Sequence, residues 1–280
     1  MTQSFDRRLT PARPDRAAAF LRGQVEAATF VEGEVRSIAA AAVPLRRAPR
    51  LDCALDTEAV RGEAVTVYDT DAEGWAWVQL AGDGYCGYLP AEALGPSEAP
   101  THRVAALRTL VFPGPDLKLP IIGALTLGAK VGVGETVGTY ARIREGFVPA
   151  GHLRPLDDVE LEAVAVAERF LGVPYLWGGK TSLGLDCSAL VQVAHAAAGR
   201  AVPRDSDMQE QQVGAPLPDG TALRRGDLVF WRGHVGLMRD TDTLLHANAH
   251  AMAVTSEPLA EARRRILAAT GADVTAIRRP

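Results

Sequence analysis

A cysteine at position 187, in "GLDCSALVQVAHAAAG" (184–199), heads an apolar run; His234 in "RGHVGLM" and His246 in "TLLHAN" follow it. Those residue types can make a nucleophile, a general base and a group that orients the base. In that reading His234 draws the proton from Cys187, and His246 holds the other ring nitrogen of His234 and fixes its tautomer. The bland reading of Cys187 is a small inert core residue, the common fate of a free cysteine. Zinc is the other chemistry open to one Cys and two His. The usual ligand spacings are missing, however, and the i, i+4 pair His246 and His250 in "HANAH" has flanks that do not read as helical, so no metal and no cofactor is expected. His102, His152 and His195 read as packed or surface imidazoles. His250 competes for the orienting role but falls past the strand.

The elements that must position these groups can be read locally. Glycines 178, 179 and 184 make a loop before the cysteine. Asp186 is a good N-cap, the helix runs from Cys187 to about Ala198, and Gly199 follows as its stop. Leu190, Val191 and Ala194 share the buried face. Cys187 then sits in the first turn, where free amides and the helix dipole favour a thiolate and lower the thiol pKa. "RRGDLVFWRGHVGLMRD" (224–240) reads as strand, turn, strand, with His234 opening the second strand on the face of Gly236 and Met238. "TLLHAN" (243–248) is the next strand, and the short turn "RDTDT" makes the two antiparallel, which brings His234 and His246 side by side. Upstream, "LDDVELEAVAVAERFLG" (156–172) reads as an amphipathic helix ending at Gly172.

The first half holds a repeat. "GYLPAEAL" (87–94) and "GFVPAGHL" (146–153) match, and "GEAVTV" (62–67) and "GAKVGV" (128–133) echo each other upstream. Two diverged copies of one small unit follow from this. Their short, evenly spaced strands predict small barrels of SH3 type. The domains are therefore an N-terminal extension at 1–34 with a helix at "PDRAAAFLRGQVEAA", a first SH3-like domain at 35–97, a second at 98–156, and a chemistry-bearing domain at 157–280.

Bulk numbers exclude several classes. The 280 residues are 47% hydrophobic and 23% charged with net charge −4, a globular composition with no footprint for nucleic acid. No run reaches the roughly 18 apolar residues of a membrane span. The N-terminus shows no secretory h-region and the three cysteines are odd in number, so a cytoplasmic location is expected, or a secreted one if the N-terminus has been trimmed.

"PYLWGGKTSLGLDCSALVQ", then "RRGDLVFW" and "GHVGLM", then "LLHAN", resemble the NlpC-type cell-wall peptidases. These are papain-like cysteine peptidases with a Cys-His-His triad that cleave between γ-D-glutamate and a diamino acid in peptidoglycan stem peptides. Ala189 departs from the glycine common after D-C-S in the family. The implied fold class is α+β, two small SH3-like β-barrels followed by a papain-like α+β cysteine peptidase domain. "DTEAVRGEAV" and "DGYCGYLP" are similar to the first barrel of a subgroup that works on small peptides with a free N-terminal L-Ala. The resemblance implies a triad of Cys187, His234 and His246, an oxyanion role for Tyr175, and Asp186 and Ser188 lining the cleft. It also implies Ser206 in "PRDSDMQ" at the D-glutamyl carboxylate, Trp177 as a substrate contact, and Glu63 and Tyr85 at the substrate ammonium. Each has a structural alternative: an N-cap for Asp186, aromatic packing for Tyr175 and Trp177, a turn for Glu63, barrel packing for Tyr85. The partners implied are stem peptides L-Ala-γ-D-Glu-diamino acid, with no nucleic acid and no membrane. Two other readings remain open, an acyltransferase using the same acyl-enzyme and a non-catalytic wall-binding protein.

Overall fold

Short β-rich runs broken by Gly and Asp form strands throughout the first half, and among the described residues the α-helices lie in the second. The computed structural model describes residues 5–218 and 220–280. The chain divides into two units, Met1–Leu156 and Asp157–Pro280.

In the first unit a seven-stranded antiparallel sheet runs in the order Leu55–Val60, Ala42–Arg46, Cys86–Pro90, Trp75–Leu80, Ala64–Thr70, Glu34–Ile38, Leu94–Gly95. Alternate residues of these strands, Val43 and Leu45, Val65, Ala76, Val78 and Leu80 among them, fill one core. A second core, of Val104, Val111, Leu125, Val131, Ala141, Ile143, Val148 and Leu153, gathers shorter strands between His102 and Pro155. The two sequence echoes form the same local unit, a strand followed by a single 3-10 turn: Cys86–Pro90 with Ala91–Ala93, and Gly146–Pro149 with Ala150–His152. The turn at Gly62 lies against the Lys130 backbone; its φ of +78° suits glycine, and a Cβ there would lie 2.1 Å from the carbonyl oxygen of Lys130. Arg61 beside it is buried and pairs with Glu98 (3.2 Å) and Glu145 (2.5 Å).

The helix expected at 14–28 is not formed. Arg16–Ala18 is a strand, Ala19–Leu21 a 3-10 turn, and the strand pairs in parallel with Thr29–Val31. Tertiary contacts override the helix propensity of the alanines. Ala18 and Leu21 dock on Tyr68 and Trp77. The Arg13 guanidinium lies 4.4 Å over the Trp77 ring and donates to Tyr88 and Asp69, and Arg16 pairs with Asp69 as well.

In the second unit, α1 is Ala163–Glu168, α2 Cys187–Ala197, α3 Ser206–Gln212 and α4 Leu259–Thr270. The strands are β1 Ala215–Pro216, β2 Leu228–Trp231, β3 His234–Met238, β4 Thr243–Asn248, β5 Ala253–Pro258 and β6 Ala276–Arg279. They form one antiparallel sheet ordered β1-β6-β2-β3-β4-β5. α1 is shorter than the helix read from 156–172. The Glu160 amide is taken by the Ala197 carbonyl, and the Glu162 carboxylate by Arg225, so the residues before 163 are held out of the helix. α2 buries Leu190, Val191 and Ala194, and full burial of a side chain the size of leucine or valine is worth about 1.5–3 kcal/mol.

Candidate active site

Cys187 is the first residue of α2. The helix begins there because Asp186 caps it, its Oδ1 accepting from the Ala189 amide at 2.8 Å. The loop ahead must pass close to itself: a Cβ on Gly179 would lie 2.5 Å from the Gly184 carbonyl oxygen. Gly178 donates its amide to Asp186 Oδ2 at 2.9 Å, tying loop to cap.

Asp186 has a further partner that sequence reasoning missed. Arg204, only 1% exposed, donates Nη1 to Asp186 Oδ1 (2.9 Å) and Nη2 to Asp186 Oδ2 (2.7 Å), and reaches Ser188 Oγ at 2.9 Å. Ser188 Oγ donates in turn to Asp186 Oδ1 at 3.2 Å. Gln209 on α3 donates to the Ser188 carbonyl at 2.9 Å. Asp186 and Ser188 are thus buried members of a polar network under the start of α2. Arg204 stands inside the segment "PRDSDMQ", but nothing local marks it as a partner of a residue 18 positions earlier. Ser206 opens α3, partly buried.

The two histidines meet directly. His234 opens β3, His246 lies inside β4, and His234 Nε2 is 2.8 Å from His246 Nδ1. Antiparallel pairing of Leu237 with Leu245 sets the register that makes them diagonal neighbours. Gly236 between them leaves room, since a Cβ there would lie 3.2 Å from His246 Cβ. A second missed partner stands behind: His246 Nε2 is 2.8 Å from Glu257 Oε1 on β5, and Arg265 of α4 pairs with the same carboxylate. His250 falls in the turn past β4 and is exposed.

The thiol is 6% exposed, and burial pushes its pKa up to about 12, with the Asp186 charge acting in the same sense. The Val235 amide, Arg204 and the Ser188 amide oppose this without overcoming it. The expectation of a thiolate favoured by the helix start is therefore corrected: desolvation outweighs the first-turn amides. The imidazoles shift the other way. Burial lowers both, and His246 and Arg265 lower His234 further, against Glu257 and Asp186. Both directions favour a neutral thiol beside neutral imidazoles over a buried ion pair. The Val235 amide, adjacent to His234, is the link that sets the thiol beside the histidine strand.

Tyr175 is half-buried, donates its amide to the Met252 carbonyl (2.9 Å), and its hydroxyl pKa is raised by burial, then by Cys187 and Asp186. Its hydroxyl therefore lies within the field of the thiol. Trp177 is 64% exposed on the loop, so it is not a packing residue. Glu63 and Tyr85 belong to the first unit. Glu63 Oε2 accepts the Val60 amide at 3.0 Å across a turn, and Tyr85 is buried in the barrel core. Both positions thus have structural duties of their own. Among the described residues no group of three His, Cys, Asp or Glu is placed to hold a metal ion.

The NlpC/P60 family matches residues 172–266, and the bacterial dipeptidyl-peptidase Sh3 domain matches residues 45–94. A probable endopeptidase of Corynebacterium glutamicum is 30% identical over 172 residues, 56% of this chain and 80% of that protein. The chain belongs to the NlpC/P60 family. A gamma-D-glutamyl-L-lysine dipeptidyl-peptidase of Bacillus cereus is 25% identical over 206 residues, 63% of this chain and 60% of that protein. Matches to a dipeptidyl-peptidase 6 of Lysinibacillus sphaericus and to a gamma-D-glutamyl-L-lysine dipeptidyl-peptidase of Bacillus subtilis span 31% and 28% of those proteins. The crystal structure of an NlpC/P60 family protein from Bacillus cereus superposes with a TM-score of 0.72 at 20% identity, covering 88% of this chain and 99% of that one. The fold is accordingly the α+β one expected, an SH3-like domain followed by a papain-like NlpC/P60 domain. The matched Sh3 description falls on the first of the two repeats; the second repeat shares its strand-and-turn unit around a core of its own.

Proposed function

We propose that the chain is a cysteine endopeptidase that hydrolyses the amide between γ-D-glutamate and a diamino acid in peptidoglycan-derived peptides, with Cys187, His234 and His246 as its triad. The observation that carries this reading is the imidazole pair, 2.8 Å apart across two neighbouring strands, with the Val235 amide next to His234 meeting the thiol of an N-capped helix. The names of the Bacillus relatives support the bond cleaved, and the first-barrel match supports the preference for short peptides with a free N-terminal L-Ala.

With thiol and imidazoles neutral at rest, the proton leaves Cys187 as sulfur attacks the glutamyl carbonyl carbon, and His234 takes it. The imidazolium then protonates the diamino acid nitrogen as the C–N bond breaks, leaving a thioester. Water gives a proton to His234 and its oxygen attacks the thioester. The carboxylate is released, and sulfur recovers the proton. Tyr175, whose hydroxyl lies within the field of Cys187, is the donor assigned to the developing oxyanion.

The test is mass spectrometry of products from L-Ala-γ-D-Glu-meso-diaminopimelate and L-Ala-γ-D-Glu-L-Lys. The wild type is expected to release L-Ala-γ-D-Glu, and Cys187→Ala to release none. Equal product from both proteins would overturn the reading.

A further inference from the structure

His246 is wholly buried, and each of its ring nitrogens has a partner 2.8 Å away: Nδ1 faces His234 Nε2, and Nε2 faces Glu257 Oε1. Glu257 is ion-paired to Arg265, which lies on α4 where that helix packs over the sheet. An ionised carboxylate only accepts hydrogen bonds, and a neutral imidazole has one N–H and one lone pair. Those two facts leave a single arrangement. The proton of His246 is on Nε2, donated to Glu257. Its Nδ1 is then an acceptor, so His234 must donate from Nε2. The basic nitrogen of His234 is therefore Nδ1.

We infer that Glu257, held by Arg265, is a positioning residue that sets both imidazole tautomers in one direction and so makes His234 Nδ1 the lone pair that receives the Cys187 proton. The inference rests on the peptidase reading above. The strand register builds the relay. Glu257 lies opposite Leu244 and Thr255 opposite His246 on antiparallel strands, so Glu257, His246, Gly236 and His234 share one face and step diagonally across β5, β4 and β3. When the thiol S–H bond breaks, an N–H bond forms at His234 Nδ1 and the ring becomes imidazolium with both nitrogens protonated. Its Nε2–H stays donated to His246, and no proton passes beyond His234. Without Glu257 the buried His246 has no acceptor for Nε2–H. Its other tautomer then donates from Nδ1 to His234 Nε2, which moves the proton of His234 to Nδ1 and removes the base.

The experiment is nitrogen NMR of the full chain labelled with ¹⁵N-histidine, read beside steady-state kinetics on L-Ala-γ-D-Glu-meso-diaminopimelate. In the wild type both rings are expected to show a protonated Nε2 and an unprotonated Nδ1. Glu257→Ala is expected to lose that pattern at both rings and to lower kcat by about tenfold or more with KM within about twofold, the split expected when base positioning rather than binding is lost. Glu257→Gln keeps an accepting oxygen and is expected to retain the tautomers and to stay within about threefold of wild-type kcat. A wild-type His234 protonated on Nδ1 overturns the inference without any variant. So does a Glu257→Ala protein with unchanged tautomers and kcat. If that result accompanies an inactive Cys187→Ala, the relay falls and the peptidase reading stands. An active Cys187→Ala sinks the peptidase reading, while the tautomers still report on the relay.

Discussion

Arg204 grips both carboxylate oxygens of Asp186, at 2.9 and 2.7 Å, beneath the first turn of the helix that begins with Cys187. The pair is almost fully buried, and Asp186 also serves the Ala189 and Gly178 amides. Removing one partner of such a pair strands a charge, which costs about 3–5 kcal/mol. Arg204→Ala should therefore lower the unfolding free energy of the second unit by that order, read from the shift of its urea midpoint. Arg204→Lys should recover only part, because an ammonium cannot span both oxygens in a fork. A midpoint within error of wild type for Arg204→Ala would show that the pair contributes nothing net.

The buried thiol predicts slow labelling at neutral pH. With burial pushing the Cys187 pKa up to about 12, the thiol is the dominant form at pH 7. Inactivation by iodoacetamide in the absence of substrate should rise about tenfold per pH unit from pH 6 to pH 10. This reverses the expectation drawn from the helix start alone. A rate that levels off at or below pH 7 would show a preformed thiolate, and the desolvation argument would fail.

The imidazole pair predicts acid sensitivity of folding above the carboxylate range. His234 and His246 are lowered to about 3, chiefly by burial, against an ordinary value near 6.5. Below that ordinary value the unfolded chain takes up protons that the folded one refuses. Stability contributed by the neutral pair is then present above pH 6.5 and is lost as pH falls, with a slope of up to about 1.4 kcal/mol per pH unit for each histidine. Urea midpoints of the second unit should fall from pH 6.5 to pH 4.5, and the His246→Gln variant should show a shallower fall. Equal slopes for the two proteins would show that His246 is not kept neutral by the fold.

Much of the candidate site was legible because its signals are local. Asp186 before an apolar run is a cap, Gly199 is a stop, and the alternation around His234 and "TLLHAN" reads as two strands with a short turn. What escaped were partners distant in sequence. Arg204 pairs 18 residues back, Glu257 reaches His246 from the next strand, and Arg265 reaches the Glu257 carboxylate from the helix after it. In a chain that is 23% charged, no local pattern distinguishes these from solvated side chains. Two expectations failed because burial decides them. The alanines at 17–19 favour a helix, yet Ala18 docks on Tyr68 and Trp77 as a strand. The first-turn position favours a thiolate, yet desolvation prevails.

Gly236 offers a test of how tightly the imidazole pair is set. A Cβ there would lie 2.7 Å from Leu244 Cδ1, 3.0 Å from Leu244 Cγ and 3.2 Å from His246 Cβ. Leu244 is wholly buried against Met238, Leu259 and Ala262, so it has little freedom to retreat. The added methyl must therefore push on β4 and shift His246 relative to His234. Overpacking of this kind costs about 1–3 kcal/mol, and Gly236→Ala should lose that much stability. Its kcat should fall about tenfold or more through misalignment of the histidines, with KM little changed. Leu244→Val in the Gly236→Ala background withdraws Cδ1, the nearest clashing atom, and should restore part of both losses. The pair would then be non-additive, as contacting residues are. If Gly236→Ala keeps wild-type kcat, β3 and β4 tolerate the shift, and close packing at Gly236 is not what sets the His234–His246 contact.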